Sequence, residues 1–201
     1  KEIMNEKMRK GRCSRKTAET NIELEWNLDG SGRYSIDIPV PFLKHMLELF
    51  TKHGLFDITI TATGDIDIDY HHTVEDIAIC LGDAFKLAIG NMRGIKRYGF
   101  FILPMDESLA EISLDISNRP FLSYNVELPA DRAGDFDAEL IKEFLEKFAI
   151  HSGITLHITL KNCGNNHHGI EAIFKCLARA LETAASFDSR IVGVNSTKGM
   201  I

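Results

Sequence analysis

Positive charge is in short supply in this 201-residue chain: 23 Lys and Arg stand against 29 Asp and Glu, a formal net charge of −6. Such a balance offers no basic face for duplex nucleic acid, although a local Lys/Arg cluster can still hold one small anion. Long apolar runs are missing too. No stretch approaches the ~20 residues that a membrane span requires, and residues 1–16 are charged where a secretory signal would be apolar, so a cytoplasmic protein with no membrane partner is expected. Cysteine occurs only as Cys13, Cys80, Cys163 and Cys176, widely spaced and with no C-x-x-C pair, which fits reduced thiols better than a disulfide framework. Walker and dinucleotide-type glycine loops, the G-x-S-x-G elbow and H-E-x-x-H are absent. With 44% hydrophobic residues and no low-complexity segment, the chain can still bury a substantial core.

What is present is histidine, and it is distributed in duplicate. His45, His53, His71 and His72 fall in one half, and His151, His157, His167 and His168 in the other. Laying His71 on His167 also superposes Glu75 on Glu171, Cys80 on Cys176, Ala84 on Ala180 and Ala88 on Ala184, all at one offset. A two-residue change of offset pairs His45 with Glu143 and His53 with His151, and a further change pairs Glu19 with Glu107. One repeat of nearly half the chain means two similar half-domains packed together, placed at residues 1–95 and 96–201.

Periodicity supplies the elements. Ile22, Leu24 and Trp26 alternate with polar residues, as do Tyr34, Ile36 and Ile38 beyond the Asp29-Gly30-Ser31-Gly32 turn, which predicts a hairpin. Residues 110–114 and 122–126 repeat it around Asn118-Arg119-Pro120. Phe42, Met46, Leu47 and Phe50 are spaced for a helix, and so are Leu140, Phe144, Leu145 and Phe148. Residues 57–62 and 155–160 read as strands, and the segments from His71 and His167 onward as amphipathic helices. The expected fold class is therefore α+β: strand, strand, helix, strand, helix, twice over, packed as a sandwich with helices on one face of mostly antiparallel sheet. Residues 190–201 are expected on the surface.

The two His-His-x-x-Glu segments carry the chemistry. Imidazole and carboxylate at i and i+4 share a helix face and suit a divalent metal, whereas adjacent histidines diverge by about 100°. His71 with Glu75 therefore addresses one ion and His72 another, and His167, Glu171 and His168 do the same, in sites shared between the motifs or between subunits. A single such pair is ordinarily a solvated surface feature; its duplication with a matched glutamate favours ligands. His45, on the preceding helix, and its repeat partner Glu143 are further competent donors. Imidazole-rich sites with one carboxylate favour transition ions over Mg and Ca, and room for substrate in an octahedral shell favours manganese. His157, placed mid-strand, is expected to support a ligand; His53 and His151 are expected to cap helix ends. Glu19 and Glu107 are candidate acid/base groups if they lie near a metal. Arg97, Arg119, Lys175 and the run Ser196-Thr197-Lys198-Gly199 are candidate anion-binding groups.

Together the segments Arg15-Lys16-Thr17-Ala18-Glu19-Thr20, Phe42-Leu43-Lys44-His45-Met46-Leu47, His71-His72-Thr73-Val74-Glu75-Asp76, Pro104-Met105-Asp106-Glu107, His167-His168-Gly169-Ile170-Glu171-Ala172 and Ser196-Thr197-Lys198-Gly199 resemble the imidazoleglycerol-phosphate dehydratase family, from about Arg15 to the C-terminus. The resemblance implies a lyase of histidine biosynthesis that removes water from imidazole glycerol phosphate. It also implies two manganese ions and a large assembly of identical subunits. Carried over, the metal ligands fall on His45, His71, His72, Glu75, Glu143, His167, His168 and Glu171. Position 143 is often histidine in the family. Substrate contacts fall on Glu19, Arg97, Arg119, Lys175, Ser196 and Lys198, with Glu19 the candidate for proton transfer. Lys44 stands where the family usually has aspartate. Two other readings use the same residues: a metal-stapled structural or storage oligomer, and a metal-dependent phosphate ester hydrolase.

Overall fold

Every second residue from Thr20 to Trp26 is buried, with Asn21, Glu23 and Glu25 turned outward, and this period of two lays one apolar face of a strand on the core. In the computed structural model, which describes residues 9–201, the first half comprises β1 (Lys10–Lys16), β2 (Thr20–Asn27), β3 (Tyr34–Asp37), α1 (Pro41–Gly54), β4 (Asp57–Gly64) and α2 (His71–Ile89). The second comprises β5 (Tyr98–Met105), β6 (Ser108–Ile116), β7 (Phe121–Asn125), the short pair β8 (Arg132–Ala133) and β9 (Phe136–Asp137), α3 (Glu139–Ser152), β10 (Ile154–Asn162) and α4 (Asn166–Ala185). The α+β class and the duplicated halves are as expected. No helix among the described residues is long and apolar enough to cross a membrane.

Two expectations are corrected. The first half has three strands before its first helix and the second has three plus the short β8–β9 pair, so β1, β5, β8 and β9 are additional to the expected order of strand, strand, helix, strand, helix. Of the charged stretch at residues 1–16, residues 1–8 lie outside the described residues, and Lys10–Lys16 is β1. Its inward face carries Gly11, Cys13 and Arg15 rather than large apolar side chains, so no alternation marks it. The second correction concerns pairing. The sheet orders are β1-β2-β4-β3 and β5-β6-β10-β7, so β2 and β3 form no hairpin: β4 lies between them, antiparallel to β2 and parallel to β3. A strand returning through helix α1 enters parallel to the strand before it, and β7–α3–β10 repeats the arrangement.

Helix α2 packs on the first sheet and α4 on the second, while α1 lies against α4 and α3 against α2. The halves therefore share one core. Trp26 of β2 meets Phe50, Phe56 and Phe85 of its own half, and Phe148 of the other at 6.3 Å. Close helix–sheet approach depends on repeat-related glycines: a Cβ on Gly11 would sit 1.9 Å from the Ala84 carbonyl oxygen, and one on Gly99 1.9 Å from that of Ala180.

Cross-helix contacts fix the helix directions. His45 lies by Glu171, and Arg179 donates to the His53 carbonyl at 3.2 Å, so α1 runs parallel to α4. Glu143 groups with His71, and His151 meets Asp83 at 3.0 Å, so α3 runs parallel to α2. Phe136 joins the pairs, touching Phe42 just inside α1 and Tyr70 just before α2. All four N-termini thus share one end of the molecule.

Candidate active site

The helix N-termini deliver the histidines. Asn165 caps α4, its side chain accepting from the His168 N–H at 3.0 Å, and Asp69 accepts from the His71 N–H at 2.7 Å at the start of α2. These local bonds set the first turns, from which neighbouring imidazoles diverge: the ring planes of His71 and His72 are 88° apart, and those of His167 and His168 87°.

Four clusters of donors result among the described residues. His45, His167 and Glu171 form one trio, with His45 Nε2 and His167 Nε2 at 3.7 and 3.3 Å from Glu171 Oε2. The other oxygen of Glu171 receives Lys175 Nζ. Burial opposes ionisation of Glu171, but Lys175 and the two imidazoles outweigh it and hold the carboxyl below its usual range. His71, Glu75 and Glu143 form the second trio, with Lys147 Nζ against both carboxylates. The third and fourth clusters hold the diverging histidines. His72 Nδ1 meets Asp65 Oδ2 at 2.9 Å with Glu19 Oε2 at 3.7 Å, and His168 Nδ1 meets Glu107 Oε2 at 2.9 Å. The carboxylates raise both imidazole pKa values, Asp65 acting on His72 and Glu107 on His168.

Chemistry of the donor set fits a divalent ion in each trio. The donor atoms of each cluster lie within 4.8 Å of one another, and the imidazole–carboxylate separations of 3.7 and 3.3 Å in the first trio and 3.8 Å in the second fall inside the ~4.4 Å that two bonds of about 2.0–2.2 Å to one ion allow. Neither trio includes His72 or His168. Their Nδ1 atoms are held by Asp65 and Glu107, the bond that orients an imidazole for ligation through Nε2.

Glu19 reaches His72 because the β1–β2 turn is tied to α2: Arg15 Nε donates to Asp76 Oδ1 at 2.8 Å and Thr20 Oγ1 to Asp76 Oδ2 at 2.5 Å. The repeat partners differ in employment. Glu107 is bound to His168, whereas Asp65 takes that part beside His72 and leaves Glu19 half-exposed.

The anion-binding candidates lie elsewhere. Arg97, Arg119, Ser196 and Lys198 line one cavity of about 340 Å³. Arg97 is buried in the left-handed region at φ 76°. Its side chain donates to both oxygens of Asp115, at 2.6 and 2.9 Å, and to the Asn195 carbonyl at 2.8 Å. Such a constrained backbone is uncommon for a residue with a Cβ. The tail, 190–201, is partly exposed as expected, and it also forms this cavity. Lys175 is not there; it belongs to the first trio. His157 is exposed on β10 against Phe121 and lies in none of the four clusters, so the expectation that it supports a ligand is corrected: strand alternation turns it outward while Leu156 and Ile158 face the core. His53 and His151 occupy the last turns of α1 and α3. Asp65 and Lys147 were missed by the sequence reading. Lys147 carried a faint signal, standing four residues after Glu143.

A duplicated α+β chain with paired histidine–carboxylate clusters at one end and a cationic cavity at the other has the form of an enzyme acting on a small anionic substrate. Residues 38–181 match the family model described as imidazoleglycerol-phosphate dehydratase. The chain is 53% identical over 194 residues to the Bacillus licheniformis protein of that name, covering 96% of this chain and all of the relative. Identity to the Clostridium novyi protein is 57% over 187 residues, covering 93% and 95% of the two chains. Among solved structures, the Staphylococcus aureus dehydratase superposes with a TM-score of 0.81 at 38% identity, covering 89% of this chain and 99% of that one. The Pyrococcus furiosus enzyme, in complex with (S)-C348, does so with 0.82 at 36%, covering 94% and 100%. The chain belongs to the imidazoleglycerol-phosphate dehydratase family, a family of hydro-lyases in histidine biosynthesis.

Proposed function

We propose that the chain converts imidazole glycerol phosphate to imidazole acetol phosphate and water in the cytoplasm, with two manganese(II) ions per site, in an assembly whose subunits share each site. The observation that carries this reading is the distribution of donors along α4. Its N-terminal turn presents His167 and His168, whereas the Arg97 N–H bonds the Ala184 carbonyl near its other end at 2.9 Å. Seventeen residues of helix separate those points by about 25 Å. The substrate, a ring and phosphate joined by three carbons and an oxygen, reaches no more than about 10 Å when fully extended. That separation supports a site in which a second copy of the chain brings its cationic cavity to the clusters. His72 and His168 lie in neither trio of their own chain, and in this reading they complete the trios of neighbouring subunits.

In this reading His45, His167 and Glu171 hold one ion with His72 of another subunit, and His71, Glu75 and Glu143 hold the other with His168 of another subunit. Ions so held supply Lewis acidity toward the substrate's imidazole. Converting a glycerol side chain to an acetol removes the hydroxyl on the ring-bearing carbon and a proton from the next carbon. The resulting enol then gives up its O–H proton and takes up one at the ring-bearing carbon to give the ketone. Glu19 is the base for that C–H proton, because its carboxylate is beside His72 yet not occupied in orienting it. Lys175 holds Glu171 ionised and adds a cation facing the substrate. Arg97, Arg119, Ser196 and Lys198 grip the phosphate, so that its binding energy positions the reacting carbons.

Turnover of imidazole glycerol phosphate by metal-stripped protein, before and after addition of manganese, tests the reading. Glu19→Gln should assemble normally and lose about 10²–10⁴-fold in turnover, whereas Glu107→Gln should chiefly weaken metal retention through His168. Inorganic phosphate as the product would point to a hydrolase. A metal-loaded oligomer with no turnover would point to a scaffold.

A further inference from the structure

The internal repeat relates the two trios, and they differ at one donor. His45 of α1 completes His167 and Glu171 of α4, whereas its repeat counterpart Glu143 of α3 completes His71 and Glu75 of α2. The first trio has two imidazoles and one carboxylate; the second has one imidazole and two carboxylates. Two carboxylates held together repel each other, and the chain answers that repulsion from within. Lys147, one turn beyond Glu143 on α3, places Nζ 2.9 Å from Glu75 Oε1 and 3.3 Å from Glu143 Oε1. The residue at the corresponding place on α1 is Leu49, so the first trio has no such bridge. Its own lysine, Lys175, comes from α4 and engages the single carboxylate of Glu171.

We propose that the Lys147 ammonium is a resident cation of the second trio, which holds Glu75 and Glu143 together when no divalent ion is bound and which an entering ion has to displace. The consequence is a selective weakening of the second site. This inference rests on the reading of the trios as divalent-ion sites. An ammonium and a divalent ion drawn to the same carboxylates repel each other strongly at such separations. Departure is open to the lysine, since its side chain is 29% exposed and its flexible stem can swing the charge into water. Once it has left, two carboxylates and an imidazole remain, a harder donor set than the first trio offers. Lys147 thus offsets the added attraction of Glu143 for a hard cation.

The test is a manganese titration of the full chain after metal removal, with free aquo-manganese(II) followed by its paramagnetic resonance signal. His45→Ala eliminates the first trio's binding class and so assigns the remaining one to the second. In Lys147→Met the second trio should bind manganese about tenfold more tightly, because two partly exposed ion pairs no longer have to be broken. The first trio should be unchanged. Lys147→Arg keeps the charge and should show no tightening. A circular-dichroism melt accompanies each variant, and Lys147→Gln carries the same expectation as the methionine variant should that one not fold. Unchanged affinity of the second trio in the neutral variants, equal tightening of both classes, or the same gain in Lys147→Arg overturns the proposal. If the wild-type chain binds no manganese in either class, the metal reading itself falls and takes this proposal with it.

Discussion

Mixing Glu19→Gln subunits with Arg119→Ala subunits interrogates the architecture of the site directly. Glu19 stands beside His72 at the end of the molecule where the helices begin, and Arg119 lines the cavity near the far end of α4, about 25 Å away along that helix. If a working site takes its acid/base group from one chain and its phosphate grip from another, each variant alone is inactive at every site. In a random equal mixture, however, a given site has an even chance of an intact Glu19 and, independently, an even chance of an intact Arg119. About a quarter of the sites in such a symmetric assembly are then fully wild type. The subunits would be separated by chelation, mixed, reassembled with manganese and assayed with imidazole glycerol phosphate. Turnover near a quarter of the wild-type value is expected. Activity no greater than the mean of the two parents, from a sample proved to be mixed by mass spectrometry of differently labelled chains, would refute the claim that sites span subunits.

Further outcomes follow from particular contacts. His72→Ala and His168→Ala should each fold yet assemble poorly, seen as smaller species in sizing chromatography, and manganese should restore assembly to chelated wild type but not to the variants. Asp57 accepts from the Ser31 and Arg33 N–H groups at 2.8 and 3.1 Å and from the Arg33 guanidinium at 2.6 Å. These partners hold its carboxyl well below the usual range. Its contribution is therefore present above the ordinary carboxylate pKa near 4 and is lost as pH falls through the lower folded value. Asp57→Asn should cost about 1–3 kcal/mol at neutral pH, with the gap to wild type narrowing in acid denaturation curves. Gly99→Ala pushes a methyl against the Ala180 carbonyl and should cost about 1–3 kcal/mol in urea unfolding. His157→Ala, on the outer face of its strand, should leave metal content and turnover unchanged.

The local code was sufficient for much of this protein. The 3.6-residue spacing of Phe42, Met46, Leu47 and Phe50, and the alternation of Ile22, Leu24 and Trp26, depend only on which face of an element must leave water, so α1 and β2 were legible, and so was the duplication that joins His71 to His167. The divergence of His71 from His72 follows from helix geometry alone. Pairing between strands was not legible, because it is decided by which element returns to which sheet edge: β4 inserts between β2 and β3 after crossing through α1, and no residue of β2 announces that neighbour. β1 shows no apolar pattern because its inward face carries Gly11, where the Ala84 carbonyl of α2 leaves no room for a side chain, then Cys13, and then Arg15, which turns its charge to Asp76. The same holds for the site. Asp65 and Lys147 are ordinary charged residues until the fold sets one against His72 and the other between Glu75 and Glu143. Sequence spacing could group histidines with the carboxylate one turn away, but the joining of α3 to α2 and of α1 to α4, and the separation of the cationic cavity from the clusters by the length of a helix, come from packing between segments distant in the chain.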